Sequence, residues 1–236
     1  MIYPPQCLGC GLTLGFGGNS GDLCPDCWRE MHFLSGTSCH QCGAPLADEG
    51  EADDTAICDD CIAMPRPWQQ GRAAMVYAGT GRKLVLALKH GDRPDLAPAL
   101  GGWLARAAAE IIRPDMIVAP VPLHLRRLLS RKYNQAALLS HHLARQHGLL
   151  HLPDLLRRTR HTQMQDHRGV GDRFQNLDGA LAVTPRHLKR LQDRPVLLID
   201  DVMTSGATLS VATGALRDAG AKMICVAVLA RAVKEH

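Results

Sequence analysis

The stretch that decides the fold of this 236-residue chain is Val196-Leu-Leu-Ile-Asp200-Asp201-Val-Met-Thr204-Ser205-Gly206-Ala207-Thr208. Its first four residues are all apolar, which predicts a strand buried on both faces, as in a parallel sheet. Asp200 and Asp201 follow at the carboxyl end of that strand, where open α/β sheets bind ligands. The run from Thr204 to Thr208 is predicted to open the next helix. Together these features predict a ligand site at one edge of an α/β sheet.

The chemistry of this stretch suits a ribose 5-phosphate. Carboxylates such as Asp200 and Asp201 can accept hydrogen bonds from a ribose diol, and backbone N–H groups and hydroxyls at a helix start bind phosphate. The order of four apolar residues, two acids, an apolar pair and a threonine- and glycine-rich loop resembles the signature by which class I phosphoribosyltransferases bind phosphoribosyl pyrophosphate (PRPP). The alternative is an ordinary buried strand followed by a polar turn, and packing alone does not account for paired acids before such a loop. The residues predicted to bind the 5′-phosphate are Thr204, Ser205, Gly206, Ala207 and Thr208.

Strands and helices alternate over the rest of the C-terminal part, which predicts a parallel α/β sheet. The predicted strands are 74–78, 116–122, 196–199 and 223–230, and the predicted helices are 81–90, one starting at Pro94, 135–146 and 208–219. The pair Gly101-Gly102 weakens the second helix, because glycine is a poor helix former.

Eight of the nine cysteines lie in the first 61 residues, as four C-x-x-C pairs. In a chain from a reducing compartment this pattern indicates zinc rather than disulfides. The gaps between pairs suit two tandem ribbons, although pairing of the first pair with the third and of the second with the fourth remains open. Four thiolates leave zinc no open position, so these sites are predicted to be structural. The predicted ligands are Cys7, Cys10, Cys24, Cys27, Cys39, Cys42, Cys58 and Cys61.

Charge divides the chain near Met64-Pro-Arg-Pro67. Residues 1–65 hold ten acids and one base, whereas residues 66–236 hold 26 bases and 13 acids. We therefore predict a zinc-ribbon module over 1–65 and a phosphoribosyltransferase-like domain over 66–236. The acidic module has the wrong sign for nucleic-acid phosphates and is interpreted as a structural or docking module.

Three further segments are predicted to be functional. Lys89 and His90 end a helix just before Gly91, where they could alternatively only cap the helix. A basic segment from His124 to Gln135 follows a predicted strand and could hold a pyrophosphate; its alternative is a solvated basic face. A polar segment, 157–176, has the character of a flexible loop that closes over a site, or of a plain connection.

The whole pattern, from Cys7 to about Arg231, resembles the ComF/GntX-like family, in which a zinc-ribbon module precedes a class I phosphoribosyltransferase-like domain. Besides the cysteines and the 196–208 stretch, its marks are Leu88-Lys89-His90-Gly91, Val121-Pro122-Leu123-His124 and Asn134-Gln135. The family usually has glycine where Lys132 stands, and leucine where Arg168 stands. The residues predicted to face the pyrophosphate or to lie in the loop that closes over it are Lys89, Arg131, Lys132, Asn134, Gln135, Gln165, Arg173 and Asn176.

The resemblance implies a PRPP-binding protein that uses Mg²⁺ and transfers a phosphoribosyl group, and a role in DNA uptake with competence-machinery partners. The rival hypothesis is a non-enzymatic single-stranded DNA-binding protein, because the stretch 126–173 holds ten Lys and Arg against three acids. Tyr133 is the only aromatic residue in that stretch, whereas single-strand binding generally uses several. The N-terminus has no signal-peptide pattern and no apolar run reaches membrane-span length, so a cytoplasmic protein is expected.

Overall fold

The computed structural model describes residues 4–15, 21–47, 55–123, 132–159 and 180–233. Four residues predicted to serve the pyrophosphate, Arg131, Gln165, Arg173 and Asn176, lie outside these ranges. The same holds for most of the basic segment after His124 and of the polar segment 157–176.

The described residues form seven strands: β1 (Gln70–Val76), β2 (Ile117–Pro120), β3 (Leu150–His151), β4 (Leu156–Arg158), β5 (Leu181–Val183), β6 (Pro195–Met203) and β7 (Met223–Arg231). Five of them form the parallel sheet of the C-terminal part, in the order β1-β7-β6-β2-β3. The helices are α1 (Pro25–Arg29), α2 (Asp59–Ala63), α3 (Gly79–His90), α4 (Ala97–Ala108), α5 (Gln135–His147), α6 (Leu188–Leu191) and α7 (Ala207–Asp218). Strands β4 and β5 form a separate antiparallel pair. The predicted α/β class with a parallel sheet is confirmed.

Strand β6 lies at the centre of the sheet and is buried on both faces, as its apolar sequence predicts. Leu197 and Ile199 pack on one face with α3, α4 and α5, whereas Val196 and Leu198 pack on the other with α7 and the β4–β5 pair. The strand continues past the two acids to Met203, four residues beyond its predicted end, because Asp200, Val202 and Met203 all keep register with β7. Both carboxylates therefore lie on the last part of a strand rather than on a loop.

Helix α4 contains the glycine pair that the sequence predicts to weaken it, and packing explains the first of the two glycines. A Cβ on Gly101 would come within 2.6 Å of the His142 Cβ on α5. Helices α4 and α5 thus approach closely at this position, and only glycine permits that approach. The chain enters α4 through a 3₁₀ turn at Pro94–Leu96, where proline's fixed φ suits a first helical position.

The N-terminal ribbons are packed against the sheet. Gly71 N on β1 donates to His40 O, and Phe33 forms a bridge with Met75. Met31 belongs to the core on one face of the sheet, and Cys39, Cys42 and Cys61 belong to the core on the other. Among the described residues, no helix combines the length and the apolar character needed to cross a membrane.

Candidate functional site: two four-sulfur centres and a carboxylate–loop edge

The eight paired cysteines form two tandem clusters. One contains Cys7, Cys10, Cys24 and Cys27, and the other contains Cys39, Cys42, Cys58 and Cys61; within each cluster all four Sγ atoms lie within 4.8 Å of one another. The tandem arrangement is confirmed, and the interleaved pairing left open by the sequence is wrong.

The donor chemistry of both clusters fits a structural Zn²⁺ ion. Cys24 N donates to Cys7 Sγ at 3.2 Å and Cys58 N donates to Cys39 Sγ at 3.3 Å, as backbone amides do to thiolates. Burial raises the pKa of the Cys27 thiol to about 12 and that of the Cys58 thiol to about 11. Four thiolates within 4.8 Å of one another repel each other unless a cation lies among them. Zinc bound by four thiolates has no open position for catalysis.

In each cluster, a glycine directly follows the first C-x-x-C pair, and the chain turns there. Gly11 and Gly43 have φ values of +78° and +67°, the left-handed region that glycine adopts without a Cβ penalty. The two positions differ in their surroundings. A Cβ on Gly11 would meet nothing within 4 Å, whereas one on Gly43 would lie 2.6 Å from Ala73 N on β1. Gly43 is thus fixed both by its conformation and by contact with the sheet.

This pair gives a matched prediction. We expect Gly11→Ala to lower the free energy of unfolding by about 1 kcal/mol, the cost of a left-handed non-glycine residue. Gly43→Ala should lower it by about 3 kcal/mol, because the second ribbon must also move away from β1. Urea unfolding of the zinc-loaded proteins measures both. Equal losses of unfolding free energy in the two variants would show that the contact of the Gly43 turn with β1 does not contribute to stability.

The two acids on β6 lie at the carboxyl edge of the sheet. Asp200 Oδ1 accepts a hydrogen bond from Asp201 N at 2.8 Å. Lys89 Nζ lies 3.0 Å from Asp201 Oδ1, and both side chains are less than one-fifth exposed. Burial, together with the negative charge of Asp201, raises the pKa of Asp200 to about 7. The edge therefore holds one carboxylate paired with a lysine and one that gains a proton near neutral pH.

The loop after β6 leads directly into the N-terminus of α7. Gly206 caps the start of α7 with φ +79°, and Thr204 is exposed whereas Ala207 is buried. Ala207 N donates to Ser205 Oγ at 3.4 Å, and Ser210 N donates to Gly206 O. A helix of 12 residues begins here, so its first backbone N–H groups and its dipole face the loop. Helix α7 begins at Ala207, one residue before the predicted start.

The end of α3 and the residues just before α5, which are both predicted to serve the pyrophosphate, contact each other beside the two acids. Tyr133 Oη donates to Leu88 O at 2.8 Å, and Lys132 Nζ lies 2.5 Å from Asp92 Oδ2. Asn134 caps α5, accepting from Ala136 N at 3.0 Å, and donates through Nδ2 to Val121 O. Lys132 has φ +65°, so lysine adopts here the left-handed conformation for which the family usually has glycine.

Gln135 occupies a different environment from its predicted neighbours. It is fully buried, its Nε2 lies 3.5 Å from Lys89 O, and its Oε1 has no hydrogen-bond partner among the described residues. Gln135 therefore contacts the backbone of Lys89 from the core side and supports the end of α3. Lys132, in contrast, is exposed.

Sequence reasoning missed two arginines that contact the loop. Arg66 Nη1 donates to Ser205 O at 2.5 Å, and Arg231 Nη1 donates to Thr204 O at 2.8 Å. Both side chains are buried. The sequence carries one signal for each: Arg66 stands between two prolines just after the last cysteine pair, and Arg231 ends an apolar strand. Neither signal identifies a partner, because the contacts span 139 and 27 residues.

Comparison with known proteins agrees with this architecture. The family described as "Double zinc ribbon domain" matches residues 1–67, and the "Phosphoribosyl transferase domain" matches residues 155–235. The "DNA utilization protein YhgH" of Escherichia coli K12 is 30% identical over 98% of this chain and 99% of its own length. The chain belongs to the ComF/GntX-like family.

A second relative of this ComF/GntX-like protein is "Competence protein F" of Haemophilus influenzae, which is 31% identical over 96% of this chain and 97% of its own length. Among solved structures, the glutamine PRPP amidotransferase of B. subtilis in complex with ADP and GMP matches with a TM-score of 0.41 and 19% identity. That match covers 60% of this chain and 30% of the other. The family's order of ribbons followed by a phosphoribosyltransferase domain is the order found here.

Proposed function

We propose that the region 66–236 binds PRPP with Mg²⁺ and transfers its phosphoribosyl group to an acceptor, with the ribbons over 1–65 as a structural module. The observation that carries this proposal is that Asp200 and Asp201 lie near the end of β6, and that the loop directly after this strand opens α7 at Gly206. One end of that arrangement suits a diol and the other suits a phosphate. Within the family match at 155–235, that pairing favours a ligand that contains ribose 5-phosphate. The basic residues of the segments 126–132 and 157–173 favour PRPP over a simple nucleotide, because a pyrophosphate needs more positive charge.

Each group of residues takes one part of the ligand. The carboxylates of Asp200 and Asp201 accept hydrogen bonds from the ribose hydroxyls, and the loop from Thr204 to Thr208 binds the 5′-phosphate through backbone N–H groups and hydroxyls. When bound, Mg²⁺ neutralises the pyrophosphate, and its waters are held by oxygen ligands such as the two carboxylates. Lys89, now paired with Asp201, is close enough to the edge to turn toward the pyrophosphate.

The leaving group requires further positive charge. Arg131, Gln165, Arg173 and Asn176, which lie outside the described residues, remain the proposed partners of the pyrophosphate together with Lys132 and Asn134. In the transfer, the bond from the anomeric carbon to the pyrophosphate oxygen breaks as the lone pair of the acceptor forms the new bond. Because the carbon gains positive character, positioning and charge stabilisation supply the rate.

A calorimetric titration tests the proposal. We expect PRPP to bind one to one in the presence of Mg²⁺, and ribose 5-phosphate to bind more weakly, because it lacks the pyrophosphate. Absence of PRPP binding at millimolar ligand with Mg²⁺ would overturn the proposal. Crystals soaked with PRPP, Mg²⁺ and a panel of nucleobases would then identify the acceptor and show turnover directly.

A second candidate function is binding of single-stranded DNA through the same basic residues. It is favoured by the names of the relatives, a DNA utilization protein and a competence protein, and by the ten bases between residues 126 and 173. Such a protein would act in the cytoplasm with competence-machinery partners. Displacement of a labelled oligonucleotide by PRPP would indicate one shared site. Oligonucleotide affinity that does not fall with salt would exclude contacts to the DNA backbone.

A further inference from the structure

The second zinc cluster is joined to the phosphate loop by a buried guanidinium. Arg66 Nε donates to Cys61 Sγ at 3.3 Å, and Arg66 Nη1 donates to Ser205 O at 2.5 Å. The side chain is 9% exposed, and its Cζ lies 5.9 Å from the centre of the Trp68 ring. One arginine therefore spans the distance between a zinc ligand and the loop, with an aromatic face beside it.

A second arginine makes a parallel link. Arg231 Nη1 donates to Met203 O at 3.3 Å and to Thr204 O at 2.8 Å, and it also contacts Ala232 O. Its Nη2 lies 3.9 Å from Asp60 Oδ2, and Asp60 lies on α2 between the last two zinc ligands. Arg231 is 3% exposed, whereas the Asp60 side chain is 48% exposed, so only the arginine end of this link is shielded from water.

These contacts set the direction of the loop's backbone. The carbonyls of Met203, Thr204 and Ser205 are each held by one of the two arginines. In a trans peptide the N–H of the next residue points opposite to the carbonyl. The amides of Thr204, Ser205 and Gly206 therefore point away from the arginines, and carbonyl oxygens that would repel an anion are turned inward. An array of N–H groups with its carbonyls withdrawn is the requirement for binding a phosphate.

We propose that Arg66 and Arg231 are positioning residues that tie the phosphate loop to the second zinc cluster, so that an intact cluster sets the loop's affinity for a phosphate monoester. The proposal rests on the proposed function for the identity of the ligand but not for the link itself. It assigns the ribbon module a task beyond packing. The first cluster, whose buried cysteines pack with Leu14 and Leu23 apart from the loop, has no such task.

The test compares Arg66→Met with Arg72→Met, a control that removes another mostly buried arginine. Arg72 pairs with Glu110 at 3.1 Å, away from the loop. We expect Arg66→Met to lower the affinity for ribose 5-phosphate by about tenfold to 100-fold, the effect of losing charge-assisted hydrogen bonds. Affinity for Mg²⁺–pyrophosphate should stay unchanged in both variants, since pyrophosphate does not use this loop. Zinc content should remain two ions per chain.

Hydrogen exchange on the ligand-free protein separates this inference from the proposed function. Amide exchange over 203–210 should rise about tenfold or more in Arg66→Met and in Cys61→Ser, but not in Arg72→Met or in Cys10→Ser, with the α5 amides as an internal reference. Arg231→Lys, which keeps the charge but cannot reach several carbonyls at once, should give an intermediate rise.

The outcomes are distinct. Loop exchange and ribose 5-phosphate affinity both equal to wild type in Arg66→Met would overturn the link. Pyrophosphate affinity that falls as far as ribose 5-phosphate affinity would also overturn it, by showing general destabilisation. If the wild type binds neither ligand, the proposed function fails while the exchange data still decide the link.

Discussion

Replacing Asp200 and Asp201 together by asparagine should lower the affinity for PRPP–Mg²⁺ by at least about 100-fold, because two charge-assisted acceptors of the ribose diol are lost. The two side chains keep their size, and an asparagine at 200 can still accept the hydrogen bond from the backbone N–H of residue 201. The loss should therefore come from charge rather than from a changed loop. Calorimetry with Mg²⁺ measures it. Asp218→Asn, at the exposed far end of α7, is the control.

The pH dependence of wild-type binding provides a second measure of the same prediction. Burial and the charge of Asp201 raise the pKa of Asp200 from 3.8 to about 7 in the ligand-free protein. A ligand that needs the carboxylate must first displace the proton, so we expect affinity for PRPP to rise about tenfold between pH 6 and pH 8. Asp200→Asn should remove this rise. A rise that persists in the variant would assign the titration to another group.

The stability of Asp200→Asn should change in the opposite direction to its binding. A raised pKa means that the contribution of Asp200 to stability is fully present below about pH 4 and is lost as the pH rises through 7. An asparagine is never ionised, so ligand-free Asp200→Asn should melt at least as high as the wild type at pH 8. A variant that melts lower and binds more weakly would indicate a structural role for Asp200 instead.

Local sequence patterns predicted the central strand, the order of elements and the zinc ligands. The run from Val196 to Ile199 is recognisable as a strand buried on both faces without knowledge of its neighbours. The spacing of the cysteines alone likewise predicts zinc as their ligand. The end of β6 at Met203 could not be predicted, because pairing with β7, rather than the local residue types, extends the strand past the two acids. The short β3 and the β4–β5 pair were missed for the same reason.

The parts of the site that the sequence did not reveal depend on contacts between distant segments. Arg66 and Ser205 are 139 positions apart, and nothing in either neighbourhood specifies the other. Gln135 was predicted near the pyrophosphate from its place in a motif, but its amide lies at Lys89 O in the core. A motif reports which residues occur together; only the fold shows which of them face the ligand and which support those that do.

The two zinc clusters should contribute unequally to stability, and this is the second large effect that we expect. Cys39, Cys42 and Cys61 are essentially buried and belong to the core beneath the sheet, together with Trp68 and Ala73. The buried cysteines of the first cluster form a separate small group. Loss of the second ion should therefore open part of the main core, whereas loss of the first should disturb its own ribbon and the contacts of Leu8 and Leu23 at the edge of the core.

Cys42→Ser and Cys10→Ser make the comparison. Each should bind one zinc ion fewer, as measured by elemental analysis. We expect Cys42→Ser to lower the free energy of unfolding by about 5 kcal/mol and the melting temperature by about 10–20 °C, and Cys10→Ser to lower the melting temperature by only a few degrees. Cys10 is exposed, so its replacement adds little buried strain.

Chelation of the wild type provides the same comparison without a substitution that prevents folding. With excess chelator, we expect release of the first zinc ion in a fast phase that leaves the far-ultraviolet circular dichroism, which comes mostly from the sheet and its helices, nearly unchanged. The second ion should leave in a slow phase that coincides with loss of that signal, because its ligands are part of the core of the sheet. Release of both ions in one phase, or equal melting shifts in the two variants, would contradict the unequal roles.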